Sequence, residues 1–170
     1  MVMLKSARDI LVNELKEIHS AERQLSRVLP RLMKRVESEP LRKKLEERQG
    51  QGEILIQGLD EAFNQMEVTK ARPKNVAIEG LIEHINQHLE EIKDAKLLDP
   101  VLLASIQKVE HYCIAAWGTA RSLADRQGER TVVKLMERAL KEGKQYDEEM
   151  TQLAESEVNP AMERSLEPAE

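Results

Sequence analysis

Apolar residues in this chain recur at spacings of three, four and seven over several long stretches. From Ser6 to Ser38 the series is Leu11, Leu15, Ile18, Leu25, Leu29, Leu32 and Val36. This spacing lays one apolar stripe along a helix and leaves the remaining surface to solvent. Ser6, with Asp9 three positions on, predicts the N-cap. Pro30 removes a backbone donor and predicts a bend in the last third of the helix.

The pattern restarts at once. Ser38-Glu39-Pro40 reads as a cap followed by a first-turn proline, so two long helices joined this tightly run antiparallel. The second extends to about Met66, with Leu41, Leu45, Leu55, Ile56, Leu59, Phe63 and Met66 inward. Residues 67–75, including Pro73, form a connection to a shorter helix marked by Val76, Ile78, Leu81, Ile82, Ile85, Leu89 and Ile92. Asp99-Pro100 predicts the start of a third long helix, with Leu103, Ile106, Glu110, Cys113, Trp117, Ala120 and Ala124 inward and Gly128 just past its end. A last helix over 130–157 turns Leu135, Ala139, Tyr146, Met150 and Leu153 inward, and residues 158–170, with Pro160 and Pro168, read as a loose tail. The expected fold is all-α: two long hairpins in a four-helix bundle over 1–157, with a short crossover helix between them.

Composition excludes several alternatives. With 2% aromatic and 34% charged residues there is little material for a sheet-rich core. A net charge of -5 gives no basic footprint for general nucleic-acid binding. No apolar run approaches the roughly 20 residues that span a bilayer, and the start Met1-Val2-Met3-Leu4-Lys5-Ser6 has no signal-peptide core, so the expected compartment is the cytoplasm. The single cysteine, Cys113, fits a reducing compartment.

Polar residues that fall on apolar stripes are the candidates for function, because a buried charge must be paired, protonated or bound to a metal. Glu110 interrupts the third stripe, with Cys113 three positions on. Glu22 falls between Ile18 and Leu25, and Glu46 and Gln49 form a second i, i+3 pair. Residues three apart share a helix face and direct their donors at one point. His84 and His88 form an i, i+4 pair of the kind that chelates metals, although their acidic neighbours Glu83 and Glu91 read as a solvated face.

Ser20-Ala21-Glu22-Arg23-Gln24-Leu25, Leu45-Glu46-Glu47, Ala77-Ile78-Glu79-Gly80-Leu81-Ile82 and Gln107-Lys108-Val109-Glu110-His111-Tyr112 resemble the YciF/YciE-type stress-protein family, over about residues 6–157. The resemblance implies a ferritin-like bundle, a homodimer, and a di-metal centre of Fe or Mn, with Zn as an alternative. It implies Glu22, Glu46 and Glu110 as metal ligands. It also exposes departures: Gln49 stands where relatives carry a histidine, Cys113 where they carry a second glutamate, and Gly143 where they carry an inward glutamate. Glu142, Asp147 and His19 are the further candidate ligands. Two expectations follow: a stress-associated protein with a partly dismantled centre and residual metal or redox chemistry, or a metal-free, non-enzymatic dimeric scaffold. Iron storage is a third and weaker option, since a closed shell cannot be read from one chain. No nucleic-acid or membrane partner is expected.

Overall fold

The computed structural model describes residues 3–69 and 74–166; Pro73 and Pro168 lie outside them. The first hairpin consists of α1, Ala7–Met33, and α2, Glu39–Gln65. Both caps are as the sequence predicts: Ser6 Oγ accepts from Asp9 N, and Ser38 Oγ accepts from Leu41 N. Pro30 lies inside α1, which stops at Met33, so Val36 belongs to the turn while remaining buried.

The crossover helix α3, Val76–Glu91, leads to α4, Ala95–Gln127, which packs along α5, Arg130–Leu153. The predicted start of α4 needs correction. Asp94 caps it, and Asp99 and Pro100 lie inside the helix. The Asp99 carboxylate serves the other hairpin, accepting from Glu37 N at 3.1 Å and Ser38 N at 2.7 Å. Gly128 ends α4 in the left-handed conformation, φ 74°, a region open to glycine at no steric cost.

The tail is also corrected. After α5 the chain continues through a π-helical segment, Ala154–Val158, into α6, Asn159–Leu166, with Val158 buried. A buried Val158 anchors this turn against the bundle, which local sequence patterning alone does not reveal.

Asp99 joins the start of α4 to the start of α2, and Gln127 and Glu129 reach Ala7 and Arg8 at the start of α1. Hence α2 runs parallel to α4, while α1 is antiparallel to both. The contacts α1–α2, α2–α5, α5–α4 and α4–α1 close the four sides of a bundle. One long crossover between hairpins is the connectivity of ferritin-like bundles. The core is aliphatic, with Leu11, Leu15, Leu25, Leu29, Leu32, Leu41, Leu45 and Leu59 fully buried. Each contributes roughly 1.5–3 kcal/mol by leaving water. No helix among the described residues is long and apolar enough to cross a membrane.

Candidate functional site

Halfway along the bundle the aliphatic core gives way to charge. Arg48 reaches inward from α2, and its Nη1 and Nη2 each donate to a carboxylate oxygen of Glu22 on α1, both at 3.0 Å. Its Nε donates to Glu110 Oε2 on α4 at 2.5 Å. All three side chains are 1% exposed. The guanidinium lies 5.5 Å from the ring centroid of Trp117, and its Nη2 is 3.8 Å from Cys113 Sγ. A planar fork that donates two parallel bonds and rests on an aromatic face suits arginine and not lysine.

Burial opposes the charge on Arg48, but Glu22 and Glu110 outweigh it and raise its pKa well above the ordinary value. Burial pushes the Glu110 carboxyl up, with Arg48 pulling it back down. The Cys113 thiol is pushed well up by burial and next by Glu22, which makes it a poor nucleophile. One guanidinium faces two carboxyls, and Glu110 Oε1 has no hydrogen-bond partner among the described residues.

Two glycines make room for this arrangement. A Cβ at Gly52 would stand 3.0 Å from Glu22 Oε2 and 3.2 Å from Arg48 Nη1. A Cβ at Gly143 on α5 would stand 2.7 Å from Glu110 Oε1 and 2.5 Å from Trp117 Cζ3. Position 143, expected from the resemblance to have lost an inward carboxylate, is therefore occupied by its neighbours.

The candidate ligands divide. Glu22, Glu110 and Cys113 meet around the Arg48 guanidinium. Glu46 does not: it is exposed, because two residues of helix rotate it about 160° from Arg48. Gln49 is half-buried and donates to Glu53 along its own helix at 3.2 Å. Glu142 pairs with Arg138 at 2.7 Å, and Asp147 pairs with His111 at 3.1 Å and accepts from Gln107 at 3.2 Å. His19, a further candidate ligand, is fully buried and faces Asp60 at 3.1 Å, packed against Phe63.

These residues do not fit a di-metal centre. Such a centre needs carboxylates from all four helices with Glu-x-x-His pairs. Here α5 offers a glycine, the two inward carboxylates are engaged by a guanidinium, and no cluster of three or more His, Cys, Asp or Glu suited to a metal occurs among the described residues. The residue missed from sequence was Arg48. Its phase was available: Leu41, Leu45, Arg48, Gly52, Leu55 and Leu59 form one stripe, and all are buried. An arginine offers no metal donor, so its type does not mark it as a ligand.

A smaller polar network holds the crossover. Asn75 caps α3 through Ile78 N, donates to Tyr112 Oη at 2.8 Å and Glu17 O at 3.1 Å, and its backbone N–H donates to Ser20 Oγ at 3.1 Å. Tyr112 is thus tied to structure, and Glu79 pairs with Lys74 on the surface.

Protein YciF of Escherichia coli (strain K12) is 37% identical over 164 residues, covering 94% of this chain and 97% of its own. The crystal structure of the E. coli stress protein YciF superposes with a TM-score of 0.86 at 34% identity, covering 92% of this chain and 99% of that one. YcfI from Rhodopseudomonas palustris gives 0.82 at 28% identity, covering 86% and 94%. A Xanthomonas campestris pv. campestris protein gives 0.73 at 17% identity, covering 94% and 97%, a likeness of fold alone. The family described as Domain of unknown function (DUF892) matches residues 6–163, and with the YciF relationship on nearly its whole length, the chain belongs to that YciF-type stress-protein family.

Proposed function

We propose that this chain is a cytoplasmic, stress-associated helical scaffold that acts as a homodimer and carries out no chemistry at its centre. The observation that supports this reading is the Glu22–Arg48–Glu110 ion-pair cluster, in which one guanidinium engages both inward carboxylates at 1% exposure. A catalytic centre keeps a donor, an acceptor or an open coordination position for its substrate. Here the guanidinium occupies that place.

A second reading is residual binding of Fe, Mn or Zn with redox activity. It has in its favour that Glu22, Glu110 and Cys113 face one point, but it requires Arg48 to leave. The test is to purify the full chain without chelator, measure its Fe, Mn and Zn content, and assay oxygen and peroxide turnover before and after metal addition. Light scattering on the same sample gives its mass against the 19.5 kDa chain. The scaffold reading expects a dimer without turnover. Turnover that tracks metal content overturns it.

A further inference from the structure

We infer that Arg48 is the resident cation of this bundle: its guanidinium holds together carboxylates that, in other ferritin-like bundles, gather metal ions. The inference deepens the scaffold reading by naming what occupies the centre, and it rests on the shape of the seat. Glu22 meets the fork with two parallel bonds of 3.0 Å, and Glu110 meets the Nε edge at 2.5 Å. Trp117 lies 5.5 Å away, measured to its centroid, on the guanidinium. Gly52 and Gly143 leave the space that a side chain would fill. Bonds along two edges of the fork, with its Cζ over the Trp117 ring, describe a receptor for a planar cation, where a metal asks for convergent donors.

A methyl group at Gly143 would strike both Glu110 Oε1 and Trp117. An α5 carboxylate and this arrangement of Glu110 and Trp117 are therefore mutually exclusive. Arginine at 48 and glycine at 143 form a matched pair, and together they specify a guanidinium site where di-metal carboxylate bundles hold their ions.

The seat should remain when the side chain is cut away. Arg48→Ala in the full chain is expected to lower the melting temperature by about 10 °C, since two buried carboxyls lose their partner. Methylguanidinium at about 10 mM is expected to restore at least half of that loss by binding the folded form. Methylammonium and sodium chloride at equal ionic strength are expected not to. If Arg48→Ala does not fold unaided, the same cations are compared by the yield of folded protein on refolding, read from tryptophan emission. Recovery with methylguanidinium alone supports the inference. An unchanged melting temperature, equal recovery by all three cations, recovery by none, or recovery by Mn or Zn in place of methylguanidinium overturns it. Stoichiometric metal in the unmodified chain overturns it too, whereas the scaffold reading falls only when that metal turns over oxygen or peroxide.

Discussion

The Nε of Arg48 and Oε2 of Glu110 meet at 2.5 Å between two parallel helices, while the other oxygen of Glu110 faces the bare backbone of Gly143 and has no hydrogen-bond partner among the described residues. One carboxylate thus carries both the shortest contact of the centre and a buried oxygen left unmatched. A buried acceptor left unmatched costs about 1–3 kcal/mol, and protonation is one way to relieve a buried charge.

That relief gives a pH dependence with a definite sign. Burial raises the Glu110 carboxyl above its ordinary 4.5. Between that value and the raised one, the folded chain holds a proton that the unfolded chain has released. Stability therefore falls as pH rises through this window, and the contribution is fully present below it. Asp99 and Glu14, also raised by burial, act in the same direction, so Glu110 must be isolated by difference. Glu110→Gln keeps the shape and removes the titration. Urea unfolding across the window is expected to show a shallower decline for Glu110→Gln than for the parent chain; equal slopes would remove Glu110 from the account.

Gly143→Ala sets helix propensity against packing. Alanine gains about 1 kcal/mol over glycine in an open helix interior, whereas overpacking a filled core costs about 1–3 kcal/mol. With atoms 2.5 and 2.7 Å from the new methyl group, packing wins, and the variant is expected to be less stable by up to about 2 kcal/mol. Trp117 is the chain's one tryptophan, so its emission should shift as well. Gly118→Ala is the control: nothing lies within 4 Å of its Cβ, and it is expected to be stabilised by about 0.5–1 kcal/mol. The pair of urea midpoints decides the matter, and the prediction fails if both move the same way.

Much of the architecture was legible because it is written locally. The apolar phase of α1, the Ser6 and Ser38 caps and Gly128 are each decided by neighbours within one or two turns. What could not be read was tertiary. Asp99-Pro100 has the local form of a helix start, but its carboxylate binds the turn that precedes α2 on the other hairpin, and only the folded chain brings the two together. Glu22, Glu110 and Cys113 were found because they break apolar stripes or extend them. Arg48 lies on an equally regular stripe, whereas the carboxylate of Glu46 and the amide of Gln49, the metal-donor types on α2, lie off it. A buried arginine is rare unless paired, and its place between Leu45 and Gly52 was the signal.

Asp99 offers a direct check on that cross-hairpin contact. It accepts from two backbone N–H groups, Glu37 and Ser38, in the turn that starts α2. Removing both acceptors leaves these donors without their partner, so Asp99→Ala is expected to cost about 1–2 kcal/mol. Burial raises the Asp99 pKa from 3.8 although the two N–H groups pull it down. Asp99→Asn retains one acceptor oxygen and is expected to lose less than the alanine variant. Thermal melts of the two variants make the comparison, and equal losses would mean that packing, not the cap, carries the effect.

The crossover depends on Asn75 in the same way, with more connections through one side chain. Its Oδ1 caps α3, while its Nδ2 reaches Glu17 O on α1 and Tyr112 Oη on α4. Three helices are thus joined by one amide, 4% exposed, that no aliphatic residue can replace. Asn75→Ala removes the cap and strands a carbonyl and a phenol, and is expected to cost about 2–3 kcal/mol. Tyr112→Phe removes one of these bonds and is expected to cost about 1 kcal/mol. The loss should be local first, because α3 packs on α1 and α4 and lies outside the four-helix square. Amide exchange in Asn75→Ala is therefore expected to quicken along Val76–Glu91, while the amides flanking Arg48 and Glu110 keep their protection. Uniform acceleration throughout the chain would instead make the crossover part of one cooperative unit with the bundle.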